Sequence, residues 1–358
     1  MPVLDLSVSS ADLTRAICDI PSVSDDETTL ADAIFAAVAE LPHLEVFRDG
    51  DTIVARTQLG RAQRVVIAGH IDTVPINANL PTREIVVDGE PMIWGRGTVD
   101  MKAGVATQLT LAAELVAPRV DITWMWYDHE EVAAELNGLT RLAATRPDLF
   151  DGDFAILGEP SNGQVEGGCN GNLRAVVRTH GVRAHSARAW IGDNAIHHAA
   201  PILQRLAEHD PADVEVEGLV YREGLNAVRI SGGVAGNVIP DLCEVEVNYR
   251  FAPSRSTEEA VAIVERFFAG FEVEIIDLAG GARPGLDAPL AREFVAAVGA
   301  EPRPKYGWTD VARFSALGVP AVNYGPGDPS LAHHDEERVP VAQIEAVERG
   351  LRAWLTAP

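Results

Sequence analysis

Cysteine is scarce in this 358-residue chain. There are three, Cys18, Cys169 and Cys243. An odd number without C-x-x-C spacing provides neither a disulfide framework nor a zinc ribbon. Basic residues are also few: 29 Lys and Arg stand against 53 Asp and Glu, a formal net charge of −24. Nucleic acid and anionic membranes both require a concentrated positive face, so neither is expected as a partner. No apolar run reaches the roughly 18 residues a spanning helix needs. The opening MPVLDLSVSS has no basic n-region and no apolar h-region, so no signal peptide is read and a cytoplasmic location is expected. Internal repeats and low-complexity tracts are absent. What is present is 47% hydrophobic and 23% charged, an ordinary globular composition. The length suits roughly two or three domains.

Apolar periodicity predicts strands alternating with helices at both ends of the chain. Ser24 and Glu27 have capping-box spacing ahead of Leu30, Ile34, Val38 and Leu41, which recur at helical steps. Short β-like runs follow at 44–47, 52–55 and 64–68, then a helical pattern over 101–116 and buried-strand runs at 122–127 and 154–157. This is the pattern of an open α/β sheet covered by helices. The middle differs: strand 173–179, helix 194–207, strands 227–231 and 242–251, helix 257–268 and strand 271–276. That β-α-β-β-α-β order is a split-βαβ, ferredoxin-like α+β unit. Residues 242–251 alternate cleanly, so one face of this sheet is expected to be solvated or covered by a partner. The expected organisation is a larger open α/β domain from 1–173 and 283–358, split by an inserted domain at 174–282.

Imidazoles and carboxylates gather where strands end. Strand 64–68 runs into Gly69-His70-Ile71-Asp72, strand 122–127 into Asp128-His129-Glu130-Glu131, and strand 154–157 into Gly158-Glu159-Pro160. Strand 321–324 leads through a Gly/Pro loop to His333, and Asp100 precedes the long helix. Ligands of open α/β sheets bind outside the carboxyl ends of the strands. Singly, each residue has a plainer reading: a helix cap for Asp100, a turn acid for Glu159, a helix N-terminus for Glu130-Glu131. Together they predict a metal site. Imidazole and carboxylate without thiolate suit zinc, cobalt or manganese, and two His with three acids exceed the ligand set of one catalytic zinc. They fit two ions sharing a bridging carboxylate. No G-x-S-x-G elbow offers a serine nucleophile, and Gly95-Arg96-Gly97 lacks the pattern of a phosphate loop.

With these motifs the chain resembles the co-catalytic di-zinc aminoacylase/carboxypeptidase family. The likeness rests on Gly69-His70-Ile71-Asp72-Thr73-Val74-Pro75, Gly95 through Lys102, Glu130-Glu131, Gly158-Glu159-Pro160 and Ala332-His333 with Glu337 four residues on. It implies two divalent metal ions, zinc or cobalt, with Asp100 bridging, His70 and Glu159 at one ion, and Glu131 and His333 at the other. Asp72 would hold the His70 imidazole and Glu130 would act as general base. It also implies that the inserted domain is a lid through which the chain forms a homodimer. His185 would reach a neighbouring subunit's site as an oxyanion donor, Asn237 and Arg250 would contact a substrate carboxylate, and Thr309, Asp310 and Arg313 would form a substrate loop. On its strand face alone, Arg250 could instead pair with Glu244 or Glu246.

Within the family, 70–81, 181–194, 221–226 and 307–333 resemble the actinobacterial desuccinylase branch. That likeness implies hydrolysis of the succinyl amide of N-succinyl-LL-2,6-diaminopimelate, with acetylornithine or a general N-acyl amino acid as the alternative substrate. A metal-free binding protein on the same fold is the remaining class, and the full ligand set argues against it. Two positions depart from the family pattern: His129 stands where Asp commonly precedes the Glu pair, and Ala189-Trp190 stands where Pro is common.

Overall fold

The computed structural model describes residues 2–357. Two compact units are present. The first comprises the chain up to Gly167, Pro284–Arg303, and everything from Arg313 on; the second comprises Gly168–Arg283 and Pro304–Ala312.

The first unit is built on one eight-stranded sheet. Its order is Glu45–Asp49, Thr52–Arg56, Asp121–Tyr127, Arg64–His70, Phe154–Leu157, Ala321–Asn323, Glu166–Gly167 and Arg303–Pro304. Arg64–His70 pairs in parallel with both Asp121–Tyr127 and Phe154–Leu157, and Ala321–Asn323 pairs in parallel with Phe154–Leu157. These central strands are buried along almost their whole length. Both faces are covered, which is why their sequences read as unbroken apolar runs rather than alternations. The helix Lys102–Glu114 is buried from Lys102 through Ala112. Its small residues let it lie inside the core rather than on it. The Lys102 ammonium is satisfied by the carbonyls of Ile17 and Ile20 at 3.2 and 3.0 Å.

Three expected features are replaced by others. Ser24 does not cap the following helix, which runs Thr28–Ala39 from Glu27 without a side-chain cap. Its hydroxyl instead donates to Asp72 Oδ2 at 2.8 Å, a charged and therefore stronger acceptor. Asp100 is not a cap either, since Met101 holds that position. Glu130 and Glu131 start no helix: the next one is Gly138–Thr145, capped by Asn137. A hairpin that apolar periodicity misses, Arg83–Val87 with Glu90–Trp94, turns at Asp88-Gly89, both with positive φ. Arg338–Pro340 adds to it as a third strand.

In the second unit, four antiparallel strands lie in the order Gly224–Gly232, Leu242–Phe251, Gly171–His180, Glu272–Ala279. Helices on the chain path between them complete the ferredoxin-like order. The expected helix over 194–207 is two, Ala195–His198 and Ala200–Ala207, with Pro201 opening the second; proline is tolerated in a first turn but not inside a continuous helix. Cys243, Val245, Val247, Tyr249 and Phe251 are buried on one sheet face. On the other, Arg174 and Arg178 bridge Glu246, Asp277, Glu244, Glu272 and Glu274 across three strands. At the start of the unit Cys169 and Ala282 exchange two backbone hydrogen bonds, at 2.9 and 3.0 Å. Gly168 and Gly281 are required there, because a Cβ on either would overlap the opposing backbone carbonyl. No described helix is long and apolar enough to cross a membrane.

The core of the first unit is tested at Phe294. This fully buried ring packs against Phe154, Tyr324 and Trp354 at centroid distances of 5.9, 5.2 and 5.1 Å. Phe294→Ala is expected to lower stability by about 3–5 kcal/mol, read from urea unfolding.

Candidate metal centre

His70 ends a central strand, and its imidazole is almost completely buried. Its Nδ1–H donates to the Asp72 carbonyl at 3.0 Å, with Asp72 Oδ1 at 3.4 Å. A carbonyl can only accept, so this bond keeps a proton on Nδ1 and turns Nε2 toward the site. Nε2 lies 3.1 Å from Asp100 Oδ1. On the other side of the same carboxylate, His333 Nε2 is 3.3 Å from Asp100 Oδ2 and 3.0 Å from Glu131 Oε2. Donor atoms of His70, Asp100 and Glu131 all lie within 4.8 Å of one another. Among the described residues Glu159 is not part of that group. It is buried in the loop after Phe154–Leu157, a loop tied to the His70 strand by the Gly158 N–H on the Ala68 carbonyl at 3.0 Å.

Asp72 organises the approach to this cluster. Its carboxylate, fully buried, accepts the backbone N–H groups of Glu130 and Glu131 at 3.0 and 3.1 Å and the Ser24 hydroxyl. Glu130, half-buried, thereby stands beside Glu131 on a backbone held by Asp72.

Charge is finely balanced. Burial alone would depress the imidazolium of His70, but hydrogen bonds to Asp100 and Asp72 outweigh it and hold its pKa well above the ordinary value. His333 is pushed up to about 10 by Asp100 and Glu131. Burial would raise the Asp100 carboxyl, yet its two imidazole partners hold it below the usual range. Protons on two imidazoles thus balance a set of carboxylates at the atoms a cation would contact. Oxygen and imidazole donors without thiolate fit a divalent ion of the zinc, cobalt and manganese kind.

His129 turns away from this group. Its Nδ1 faces Asp128 Oδ2 at 2.6 Å and Glu27 Oε1 at 3.3 Å, and its Nε2 faces Asp25. Asp128 also accepts from Thr52 and Arg141, so His129 joins an ionic knot beneath the Glu130 segment. Glu27 reads in the sequence as half of a capping box and Asp128 as part of the strand-end acidic run, while Asp25 carries no motif; their meeting around His129 is not encoded in periodicity.

The second unit brings His185 and Asn237 together. Ala184–His185 pairs with Val238–Ile239, and the Ser186 N–H donates to the Asn237 carbonyl at 2.9 Å. His185 is exposed, and its Nδ1 accepts the Ala187 N–H at 3.0 Å, which leaves the proton on Nε2. Arg250 pairs with neither Glu244 nor Glu246, which Arg178 and Arg174 occupy; its Nε donates to Asn248 Oδ1 at 3.1 Å. Thr309 and Asp310 are buried in the second unit, where the Thr309 carbonyl faces Cys169 Sγ at 3.7 Å. Arg313 belongs to the first unit, where it donates to Thr140.

The role of Asp72 is open to test without any metal. In Asp72→Ala, two backbone N–H groups and a hydroxyl lose a charged acceptor, each such bond being worth about 1.5–3 kcal/mol. In the presence of chelator the variant is expected to lose at least about 3 kcal/mol in urea unfolding. A loss under about 0.5 kcal/mol would contradict this account.

Comparison with known proteins places the chain. The model of "Peptidase family M20/M25/M40" matches residues 66–357. DapE of Mycobacterium tuberculosis is 50% identical over 356 residues, 99% of either chain. The succinyl-diaminopimelate desuccinylase of Corynebacterium glutamicum is 48% identical, covering 99% of this chain and 98% of its own. Among solved structures, the YXEP protein of Bacillus subtilis, described as a dinuclear metal-binding peptidase of the M20 family, shares the fold with a TM-score of 0.68 at 16% identity. The match covers 97% of this chain and 96% of that one. The chain belongs to peptidase family M20/M25/M40.

Proposed function

We propose that the chain is a two-metal amide hydrolase that converts N-succinyl-LL-2,6-diaminopimelate to succinate and LL-2,6-diaminopimelate, a step of lysine and diaminopimelate biosynthesis. The observation that carries the substrate is the near-full-length identity to a desuccinylase, 48% over 99% of this chain. The clustered imidazoles and carboxylates supply the chemistry. His70, Asp100, Glu131, Glu159 and His333 would hold the ions, with Asp100 bridging, since each of its oxygens faces a different imidazole. When bound, the ions polarise the amide carbonyl and lower the pKa of water. Glu130 takes a proton from the attacking water as its oxygen bonds to the carbonyl carbon. The same carboxyl delivers that proton to the nitrogen as the C–N bond breaks, so carboxylate and amine are the products. The Asp72 contact fixes the Glu130 backbone beside Glu131, which would position its carboxyl for both transfers.

Assay of N-succinyl and N-acetyl amino acids with zinc supplied tests the reading. Turnover of the succinyl-diaminopimelate is expected; turnover of acetylornithine without it would replace the substrate assignment. Glu130→Gln should lower kcat by about 10²–10⁴-fold while mass spectrometry still counts both metals, and activity within about tenfold of wild type would remove Glu130 as the base.

The reading extends to a homodimer joined through the second unit, with His185 acting on the partner's site. Support comes from the exposed imidazole, whose Nδ1 accepts the Ala187 N–H and so leaves the proton on Nε2, a donor suited to a developing oxyanion. His185→Ala and Glu130→Ala are each expected to be inactive. Mixed with subunit exchange, they should regain roughly a quarter of wild-type activity, because half of the dimers are mixed and each carries one intact site. Absence of recovery with exchange verified would place His185 on its own subunit's site or on none.

A further inference from the structure

Glu337 is a fully buried carboxylate outside the donor group. Its Oε1 accepts the backbone N–H groups of Val99 and Asp100 at 2.8 and 3.0 Å. Its Oε2 accepts the Gly97 N–H at 3.0 Å and Arg96 Nη1 at 2.9 Å. The backbone of Glu337 is engaged as well: its carbonyl accepts the Gly95 N–H at 2.9 Å, and its N–H donates to the His334 carbonyl at 3.2 Å. Arg338–Pro340 is zipped in register onto Glu90–Trp94. Two loops therefore leave one ladder side by side. One carries Asp100, the other carries His333, and a single side chain clasps them.

A carboxylate taking three backbone N–H groups and a guanidinium is the strong, charge-assisted kind of contact. Its lone pairs are filled by the 97–100 backbone, so that backbone cannot shift without losing several bonds together. We propose that Glu337 is the positioning residue of the metal centre: it sets the spacing of Asp100 and His333 in the protein itself, before any ion arrives. The inference rests on the two-metal reading above. It assigns Glu337 no contact with substrate or ion; its effect passes through the Asp100 backbone.

The test uses the full chain stripped with chelator and titrated with cobalt, followed by visible absorption. Wild type should take up two ions. Glu337→Gln keeps the shape but turns an NH₂ toward the Gly97 N–H and Arg96, donor against donor. Its second ion should bind at least about tenfold more weakly, with an altered cobalt spectrum, the usual scale for losing an outer-shell partner. Val347→Ala, a buried truncation on the C-terminal helix, serves as a destabilised control and should leave isotherm and spectrum unchanged. If Glu337→Gln matches wild type, or if both variants weaken equally, the positioning role is overturned. Should Glu337→Gln fail to fold, Glu337→Asp, which keeps the charge but falls short of the N–H groups, is expected to show the same weakening. Hydrogen exchange on the metal-free wild type needs no variant: the Gly97, Val99 and Asp100 amides should be protected, and exchange at exposed-loop rates would overturn the inference. Failure of wild type to bind two ions would instead count against the two-metal reading, leaving the exchange result to judge Glu337.

Discussion

A single buried carboxylate, that of Asp72, ties together the segments on which the site depends. It lies two residues beyond the strand end that carries His70, and its carbonyl orients that imidazole. Its oxygens collect the Ser24 hydroxyl from one loop and the Glu130 and Glu131 amides from another. Parallel strands bring their carboxyl ends to one edge, but edge proximity alone leaves loops free to wander by several ångströms. Charge-assisted bonds to backbone N–H groups remove that freedom. The sheet supplies coarse placement, and Asp72 on one side with Glu337 on the other supplies the fine.

The electrostatic state of the metal-free centre follows from this confinement. Carboxylates packed this closely repel, and protonated imidazoles between them relieve the repulsion. Because the folded pKa of His333 is raised to about 10, above an unfolded value near 6.5, the stability it contributes is fully present below about pH 6.5. It is lost as pH rises through about 10. On the two-metal proposal a divalent cation would compete with protons for the same nitrogen within that window, so its uptake would release protons.

How much of this was legible in the residues depends on the kind of force involved. Buried strands announced themselves as apolar runs, and the alternation of 242–251 marked a two-faced sheet that the fold shows in the same register of in and out. The His, Asp and Glu residues at strand ends were legible because parallel strands must deposit their carboxyl ends together. What could not be read were contacts made by conformation rather than pattern. Ser24 looked like a cap because its spacing to Glu27 suits one, yet a distant carboxylate outcompeted the local amide. Arg250 was left between two glutamates that cross-strand arginines had already taken. The role of Glu337 lies in the amides of residues some 240 positions away, and side-chain identity does not encode such a partner. The hairpin at 83–94 was hidden because its apolar residues run together in short stretches instead of alternating, with only its Asp88-Gly89 turn as a signal.

The paired backbone at Cys169 and Ala282, with glycines where the two segments press together, has a consequence for how the chain carries the residues between them. Everything between these residues is, to its host, a loop whose mouth is already shut. The entropy of closing a loop grows only as the logarithm of its length, and here two backbone hydrogen bonds hold the neck closed. A segment entering and leaving through one ladder rung can vary in length at little cost to the sheet of the first unit; the cost falls on 304–312, which belongs to the same unit as the segment and whose Trp308 Nε1–H donates to the Gly280 carbonyl at 3.0 Å.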